Sequence, residues 1–276
     1  MSGVLYLVAT PIGNLEDITL RAIKTLNESS IVLAENTKNS QKLFSAHGIN
    51  SKLVSFNDFS SNTKIVSLLR KLKGGDSISL ISDAGTPLIS DPGFNLVSQA
   101  IDANIRIESI PGPSAVIAGL ITSGIDNQKF IFEGFLPKKN NELKKTFLKL
   151  NYESRTTIFF ESPHRIIKSF KVMEQILDNR RKISIARELT KMHETILRGT
   201  IGEVSSFVEK DPNLTRGEIV LIFEGTDNNF SDFDEKLDEL FNSLKKEVSL
   251  KKFSKVFSRI TNFSAKEIYN KYKESV

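Results

Sequence analysis

The chain has 276 residues, 39% of them hydrophobic and 26% charged, the proportions of a globular protein long enough for two domains with real cores. It has no Cys, which removes disulfides, thiolate nucleophiles and Cys-ligated metals, and its three histidines, His47, His164 and His193, are too scattered for a zinc centre. Thirty-eight Lys and Arg against 33 Asp and Glu give a net charge of +5, which permits a polyanionic partner without requiring one. Neither a long apolar run nor a basic-then-apolar N-terminal segment occurs, so no membrane span or signal peptide is expected and the cytoplasm is the expected compartment.

Residues 4–9 read as a short buried strand, closed by Thr10-Pro11-Ile12-Gly13-Asn14, a turn that Pro and Gly make sharp. Asp17 is the expected cap of a helix carrying Ile18, Ala22, Ile23 and Leu26 on one face. A second strand, 31–34, ends at Glu35, and a helix runs on to His47, where Gly48 stops it. Strand 53–56, a helix over 62–72, Gly74-Gly75 and strand 77–81 continue the alternation. Then comes Ser-Asp-Ala-Gly-Thr-Pro-Leu-Ile-Ser-Asp-Pro-Gly at 82–93, a long strand-to-helix loop. Asp83 stands straight after the strand, and Asp91 with Pro92 is expected to start a helix over 94–103. Strand 105–110 follows, and Pro111-Gly112-Pro113-Ser114-Ala115 makes a third rigid turn into a helix. Strand and helix alternating in this way predict a parallel α/β sheet, whose ligands bind at the carboxyl edge. The turns at 10–14, 83–87 and 111–115 share that edge and are expected to line one small-molecule pocket, centred on 83–86.

Around 123–128 the pattern changes. Strands at 130–132, 157–160, 183–186 and 219–223, with helices near 141–150, 163–177 and 204–209, predict a second α/β domain of mixed strand order. Residues 226–231 read as a linker, and 233–272 as three short helices with Ser249 and Ser264 as caps. The expected division is an N-terminal α/β domain 1–124, a second α/β domain 125–226 and a small basic helical domain 231–276. From 245 to 273 there are nine Lys or Arg against two Glu, whereas 230–241 holds five acids and one Lys. Lys251, Lys252, Lys255, Arg259 and Lys266 recur at helical spacing and read as phosphate contacts to a polyanionic partner, with a merely solvated helix face as the alternative.

The first turn has a single Gly where dinucleotide folds have G-x-G-x-x-G, and no Walker sequence occurs. Glu35 does stand where a ribose-binding acid would. With Asp83, Ser114, backbone groups and apolar side chains, the edge suits a nucleoside better than a triphosphate. Further on, Glu161-Ser162-Pro163-His164-Arg165 and Arg187-Glu188-Leu189-Thr190-Lys191-Met192-His193-Glu194 each close a strand in a burst of charge. Both read either as salt-bridged loops or as substrate contacts through Arg165, Arg187 and Lys191, which would bind phosphates or hydroxyls.

Thr-Pro-Ile-Gly-Asn-Leu at 10–15, the loop at 82–93, Pro-Gly-Pro-Ser-Ala at 111–115, Glu-Gly-Phe-Leu-Pro-Lys at 133–138, Glu-Ser-Pro-His-Arg at 161–165, Ala-Arg-Glu-Leu-Thr-Lys at 186–191 and Arg-Gly-Glu-Ile-Val-Leu at 216–221 together resemble one family. It is the ribosomal RNA small subunit methyltransferase I family of the tetrapyrrole-methylase (class III, S-adenosylmethionine-dependent) superfamily. The resemblance covers nearly the whole chain in order. It implies two α/β domains with S-adenosylmethionine in the cleft between them, a small C-terminal helical domain and a homodimer. The activity it implies is 2′-O-methylation of a cytidine ribose in 16S rRNA of the small ribosomal subunit, at the decoding centre. It places cofactor contacts on Pro11, Ile12, Asp83, Gly85, Thr86, Ser114, Ala115 and Phe160, and no metal. Two stretches depart from the family pattern: Ala34-Glu35-Asn36-Thr37-Lys38 replaces Ala-Glu-Asp-Thr-Arg, and Phe59-Ser60-Ser61 replaces His-Asn-Glu. A ribose hydroxyl is a poor nucleophile that a base would assist, and Glu35, Glu133, Glu188 and Lys191 are the candidates. A corrin or porphyrin methylase, or an rRNA-binding assembly protein without catalysis, are the competing readings.

Overall fold

The computed structural model describes residues 3–58, 60–226, 230–259 and 264–273, without the side chains of 212 and 230–236. Phe59 and residues 227–229 of the expected 226–231 linker thus lie outside the described residues, and 230–231 already belong to a helix. The chain divides into two compact units, Met1–Ala118 with Glu188–Glu194, and Gly119–Arg187 with Thr195–Val276.

The first unit opens with β1 (Val4–Val8), α1 (Leu20–Glu28), β2 (Ile31–Ala34), α2 (Thr37–His47) and β3 (Leu53–Ser55), and continues with α3 (Asn62–Lys73), β4 (Ile78–Ile81), α4 (Phe94–Asp102) and β5 (Arg106–Ile110). Helix α5 (Ala115–Ser123) carries the chain onward. All five strands pair parallel in the order β3-β2-β4-β1-β5, as the alternation predicts. Successive side chains of a strand point to opposite faces, and both faces here are covered. Leu5, Leu33, Ile78 and Leu80 pack under α3 and α4 with Leu68, Leu72 and Leu96, while Val8, Val32, Ala34 and Ile81 pack under α1 and α2 with Ala22, Leu26 and Phe44. Central β4 is buried at all four positions.

Local chemistry sets most helix ends. Gly48, at φ 61°, stops α2. Thr19, not Asp17, caps α1: its hydroxyl accepts from the Ala22 N–H, and Asp17 instead ends a 3-10 turn, Leu15–Asp17, capped by Asn14. The expected Asp91 cap of α4 is also absent. Gly93 occupies that place at φ 128°, and a Cβ there would lie 2.7 Å from the Leu80 Cδ2, so the close approach of the backbone to the core dictates where this helix starts.

In the second unit β6 (Phe130–Phe135), α6 (Asn140–Leu150), β7 (Thr156–Glu161), α7 (Ile166–Met173), β8 (Lys182–Arg187), β9 (Thr195–Thr200), α8 (Ile201–Lys210) and β10 (Ile219–Phe223) form a sheet of order β6-β7-β10-β8-β9. Only β6 and β7 are parallel; the other pairs are antiparallel, which is the expected mixed sheet. Strand β9 is an edge strand that the sequence reading missed. Helices α9 (Phe230–Leu244), α10 (Leu250–Phe257) and α11 (Ala265–Tyr272) gather a separate small core of Leu237, Phe241, Leu250, Phe253, Ile268 and Tyr272, with the Phe241 and Tyr272 rings stacked at 4.1 Å. Ser264 caps α11 as expected, in a reciprocal box with Glu267, whereas Ser249 precedes α10 without a side-chain cap bond. No helix among the described residues is long and apolar enough to cross a membrane.

Candidate functional site

Strands β4, β1 and β5 are adjacent, so the three turns rich in Pro and Gly emerge side by side. They are also bonded to one another. Thr10 and Gly85 exchange backbone hydrogen bonds of 2.9 and 3.0 Å, the Thr10 hydroxyl donates to the Ser82 carbonyl, the Ala9 N–H to the Ile110 carbonyl, and the Thr86 hydroxyl to the Pro113 carbonyl. Gly85 sits at φ 78°, and a Cβ there would stand 3.3 Å from Ile12 Cγ2. A Cβ on Gly112 would stand 3.0 Å from the Cβ of Ala9. Glycine is therefore what lets the turns close on each other. Pro11 and Ile12 are buried in this junction; Ser114 and Ala115 are half-buried at the start of α5, where the Ser114 carbonyl accepts from the Ala118 N–H.

Carboxylates crowd one side of this edge because β2 lies next to β4. Asp83 accepts from the Asn36 N–H at 3.1 Å and from Asn39 Nδ2 at 2.9 Å, so it fastens the first turn of α2. Asn36 caps that helix, its Oδ1 accepting from the N–H groups of Lys38 and Asn39; the replacement of the family's Asp leaves the cap intact and places one negative charge fewer beside Asp83. Lys38 is exposed on the same turn. Partial burial first, then Asp83 and Asp58, pushes the Glu35 carboxyl up. Half-buried Asp91 is pushed up from 3.8 to about 6 by burial, opposed by a hydrogen bond with Ser82 and reinforced by Glu35 and Asp83.

The Asp91 shift has a definite sign. The folded chain holds this proton more tightly than the unfolded chain, so the associated stability is complete below the unfolded pKa of 3.8 and is lost as pH rises through about 6. Asp91→Asn is expected to unfold at higher urea than the wild type at pH 8, by about 1 kcal/mol once solvent screening of a half-open group is allowed for. The two should converge at pH 4. A parallel pH dependence of the two proteins would show that Asp91 is not the group.

Residues Glu188–Glu194 belong to the first unit, and their first half packs against the first turn. The Asn14 N–H donates to the Thr190 hydroxyl at 3.1 Å. A Cβ on Gly13 would fall 2.4 Å from Lys191 Cγ and 2.9 Å from the Leu189 carbonyl, so only Gly admits this contact. Glu188 at φ 51° and Thr190 at φ 64° are both left-handed, an arrangement that costs a residue with a Cβ about 1–3 kcal/mol and is an outlier for β-branched Thr. Lys191 Nζ pairs with Glu188 Oε1 at 2.8 Å, both side chains being largely covered. The structure thus brings Lys191, and with it the paired Glu188, to the turn at 10–14, which nothing in their sequence position announces.

The remaining candidates lie in the second unit. The Glu161 side chain is 0% exposed and binds three groups: the Ser162 N–H at 2.6 Å, the Ser169 hydroxyl, and Arg165 Nη2 at 2.5 Å. Arg165 also donates from Nη1 to the Leu136 carbonyl at 3.1 Å. Arg187 is 8% exposed, and its Nε donates to the Arg216 carbonyl at 2.7 Å. Phe160 is half-buried between Phe132 and Phe135, at 4.8 and 5.4 Å. Glu133 is exposed on β6. Lys251, Lys252, Lys255, Arg259 and Lys266 are all exposed, and among the described residues none forms an ion pair. No group of three or more His, Cys, Asp or Glu among the described residues could hold a metal ion.

A family model described as Tetrapyrrole (Corrin/Porphyrin) Methylases matches residues 4–205. Ribosomal RNA small subunit methyltransferase I of Haemophilus influenzae is 42% identical over 272 residues, covering 98% of this chain and 96% of its own length. The protein of that name from Vibrio cholerae is 40% identical over 96% of this chain and 93% of its own, and that from Thermotoga maritima 43% identical over 81% and 99%. Among solved structures, the methyltransferase CobJ aligns with a TM-score of 0.60 at 14% identity, over 82% of this chain and 95% of its own. A cobalt precorrin-4 methyltransferase aligns with 0.57 at 16%, over 80% and 94%. Identities that low speak for the fold alone. The whole-length similarity to the first group speaks for more: this chain is a methyltransferase and belongs to the ribosomal RNA small subunit methyltransferase I family of the tetrapyrrole methylases.

Proposed function

We propose that the chain transfers a methyl group from S-adenosylmethionine to the 2′-hydroxyl of a cytidine ribose in 16S rRNA of the small ribosomal subunit. The observation that carries this reading is the hydrogen-bonded junction of the three turns at the carboxyl edge of β4, β1 and β5, in a chain whose relatives are named as ribosomal RNA methyltransferases. A Cβ at Gly85 would narrow this junction, and its combination of backbone groups, the Ser114 hydroxyl, the Asp83 carboxylate as acceptor and apolar Pro11 and Ile12 fits a nucleoside with a charged amino-acid tail. S-adenosylmethionine supplies a methyl group on a positively charged sulfur. Gly85, Thr86, Ser114 and Ala115 would hold it by backbone and hydroxyl contacts, with Asp83 and Glu35 supplying negative potential at the same edge. Alignment of the acceptor oxygen with that methyl group supplies a large share of the rate in such displacements.

For the acceptor, the exposed lysines of α10 offer phosphate contacts. Neutralising Lys251, Lys252 and Lys255 is expected to weaken binding to 30S subunits and to lower the slope of log affinity against log salt by roughly 2 to 3, at about 0.7–0.9 per phosphate contact. An unchanged slope would remove these residues from the interface. The homodimer implied by the family resemblance is part of the same proposal, and a monomeric mass by light scattering would strike it out. The decisive experiment maps 2′-O-methyl groups on 16S rRNA from cells with and without the gene. Loss of one cytidine modification is the expected result, and identical maps would overturn the reading.

A further inference from the structure

We propose that Glu188 is the general base of the transfer, that Lys191 positions it, and that docking of residues 188–194 on Gly13 sets its place. The inference rests on the methyl-transfer reading above. Four groups compete for this role, and their settings differ. Glu133 is exposed on a strand of the second unit. Glu35 is at the end of β2, on the carboxylate-rich side of the edge, where its neighbours are Asp83 and Asp58. Lys191 is engaged by a carboxylate at 2.8 Å and so presents an ammonium, which has no lone pair to accept a proton. Glu188 is the acid on the strained segment that touches the first turn.

Three independent features fix it there. The backbone at Glu188 is left-handed, as is that of Thr190, and such strain persists only where surrounding contacts over-determine it. The Thr190 hydroxyl accepts from the Asn14 N–H, tying the segment to the residue that follows Gly13. Gly13 lacks the Cβ that would collide with Lys191 Cγ and the Leu189 carbonyl. A connection between β8 and β9 needs none of this to join two antiparallel strands. The arrangement seats Lys191 against Gly13, in the same turn as Pro11 and Ile12 where the donor is proposed to lie, and the Glu188 carboxylate is held to that Lys191 at 2.8 Å. In the step itself, Glu188 takes the hydroxyl proton as the ribose oxygen bonds to the methyl carbon. The sulfur–methyl bond breaks with its electron pair left on sulfur as a neutral thioether, and the carboxyl later releases the proton to water.

The test is single-turnover methylation of 30S subunits lacking the modification, at saturating S-adenosylmethionine. Glu188→Gln keeps the size and backbone preference of the side chain and should lower the rate by about 10²- to 10⁴-fold, with affinities for S-adenosylmethionine and for 30S subunits within about twofold of wild type. Glu188→Asp, which keeps the charge but withdraws it, should fall between the two. Lys191→Met should lower the rate without raising the KM for either substrate, since a positioning residue acts on the acid and not on binding. A wild-type rate in Glu188→Gln, or a large rate loss confined to Glu35→Gln or Glu133→Gln, would overturn the assignment while leaving the methyltransferase reading standing. No transfer by the wild type to any site would overturn both. Thermal unfolding of each variant distinguishes a chemical loss from a folding one, and a Glu188→Gln rate loss matched by an equal loss of substrate binding counts against the proposal.

Discussion

Glu161→Ala is expected to destabilise the second unit by about 3–5 kcal/mol, the range measured when one partner of a buried ion pair is removed. The carboxylate has no solvent exposure and satisfies the Ser162 N–H, the Ser169 hydroxyl and the Arg165 guanidinium together. Alanine leaves all three without their acceptor, and the Arg165 charge, whose side chain is only 22% exposed, loses its counter-ion. Glu161→Gln keeps a carbonyl oxygen towards Ser162 and Arg165 and an amide that can donate to Ser169, so its loss should be smaller, about 1–2 kcal/mol. Urea midpoints of the two variants check the ordering. If Gln and Ala fall equally, the negative charge rather than hydrogen bonding governs the site; if neither falls, the pair contributes nothing to the native state. The loss should appear in stability first, because Arg165 and the Leu136 carbonyl hold the start of α7 to the chain after β6.

This motif also shows what a linear reading can and cannot reach. Glu-Ser-Pro-His-Arg announces charge at a strand end, and whether that charge meets water, substrate or its own carboxylate depends on β7 lying between β6 and β10. The first sheet was legible because its punctuation is local: Pro and Gly at each strand end, Gly48 after α2, apolar runs between. Strand β9 was not, since Thr-Ile-Leu-Arg-Gly-Thr sends only Leu197 against the core and every residue is partly or fully exposed. The caps of α1 and α4 were misplaced for a related reason. An Asp before a helix is a strong local signal, but the fit of Gly93 against Leu80 is a tertiary fact that overrides it. In the site, the three turns could be assigned to one edge from their pattern. The gathering of Glu35, Asp83 and Asp91 could not, because it needs the order β2-β4, and neither could the meeting of Thr190 with Asn14, which joins residues 176 apart in the chain.

Gly85→Val is expected to raise the dissociation constant for S-adenosylmethionine at least about 100-fold, equivalent to about 2.7 kcal/mol. Valine is β-branched and resists the left-handed backbone that Gly85 adopts at φ 78°. Its Cβ would also press on Ile12 Cγ2 at 3.3 Å, with the added methyls reaching towards the Pro113 carbonyl. Either response damages the same place. If the backbone turns to accommodate the side chain, the paired bonds between Thr10 and Gly85 break and the first and second turns separate; if it does not, Ile12 is displaced into the space proposed for the donor. Gly85→Ala shares the left-handed strain and the Cβ contact with Ile12 but lacks the branching methyls, so it should lose about 1 kcal/mol of stability with a smaller change in affinity. Titration calorimetry with S-adenosylmethionine, beside a melting curve of each variant, separates the two contributions. Wild-type affinity in a folded Gly85→Val protein would mean that the donor binds away from this edge, and the proposed duties of Asp83, Thr86 and Ser114 would fall with it.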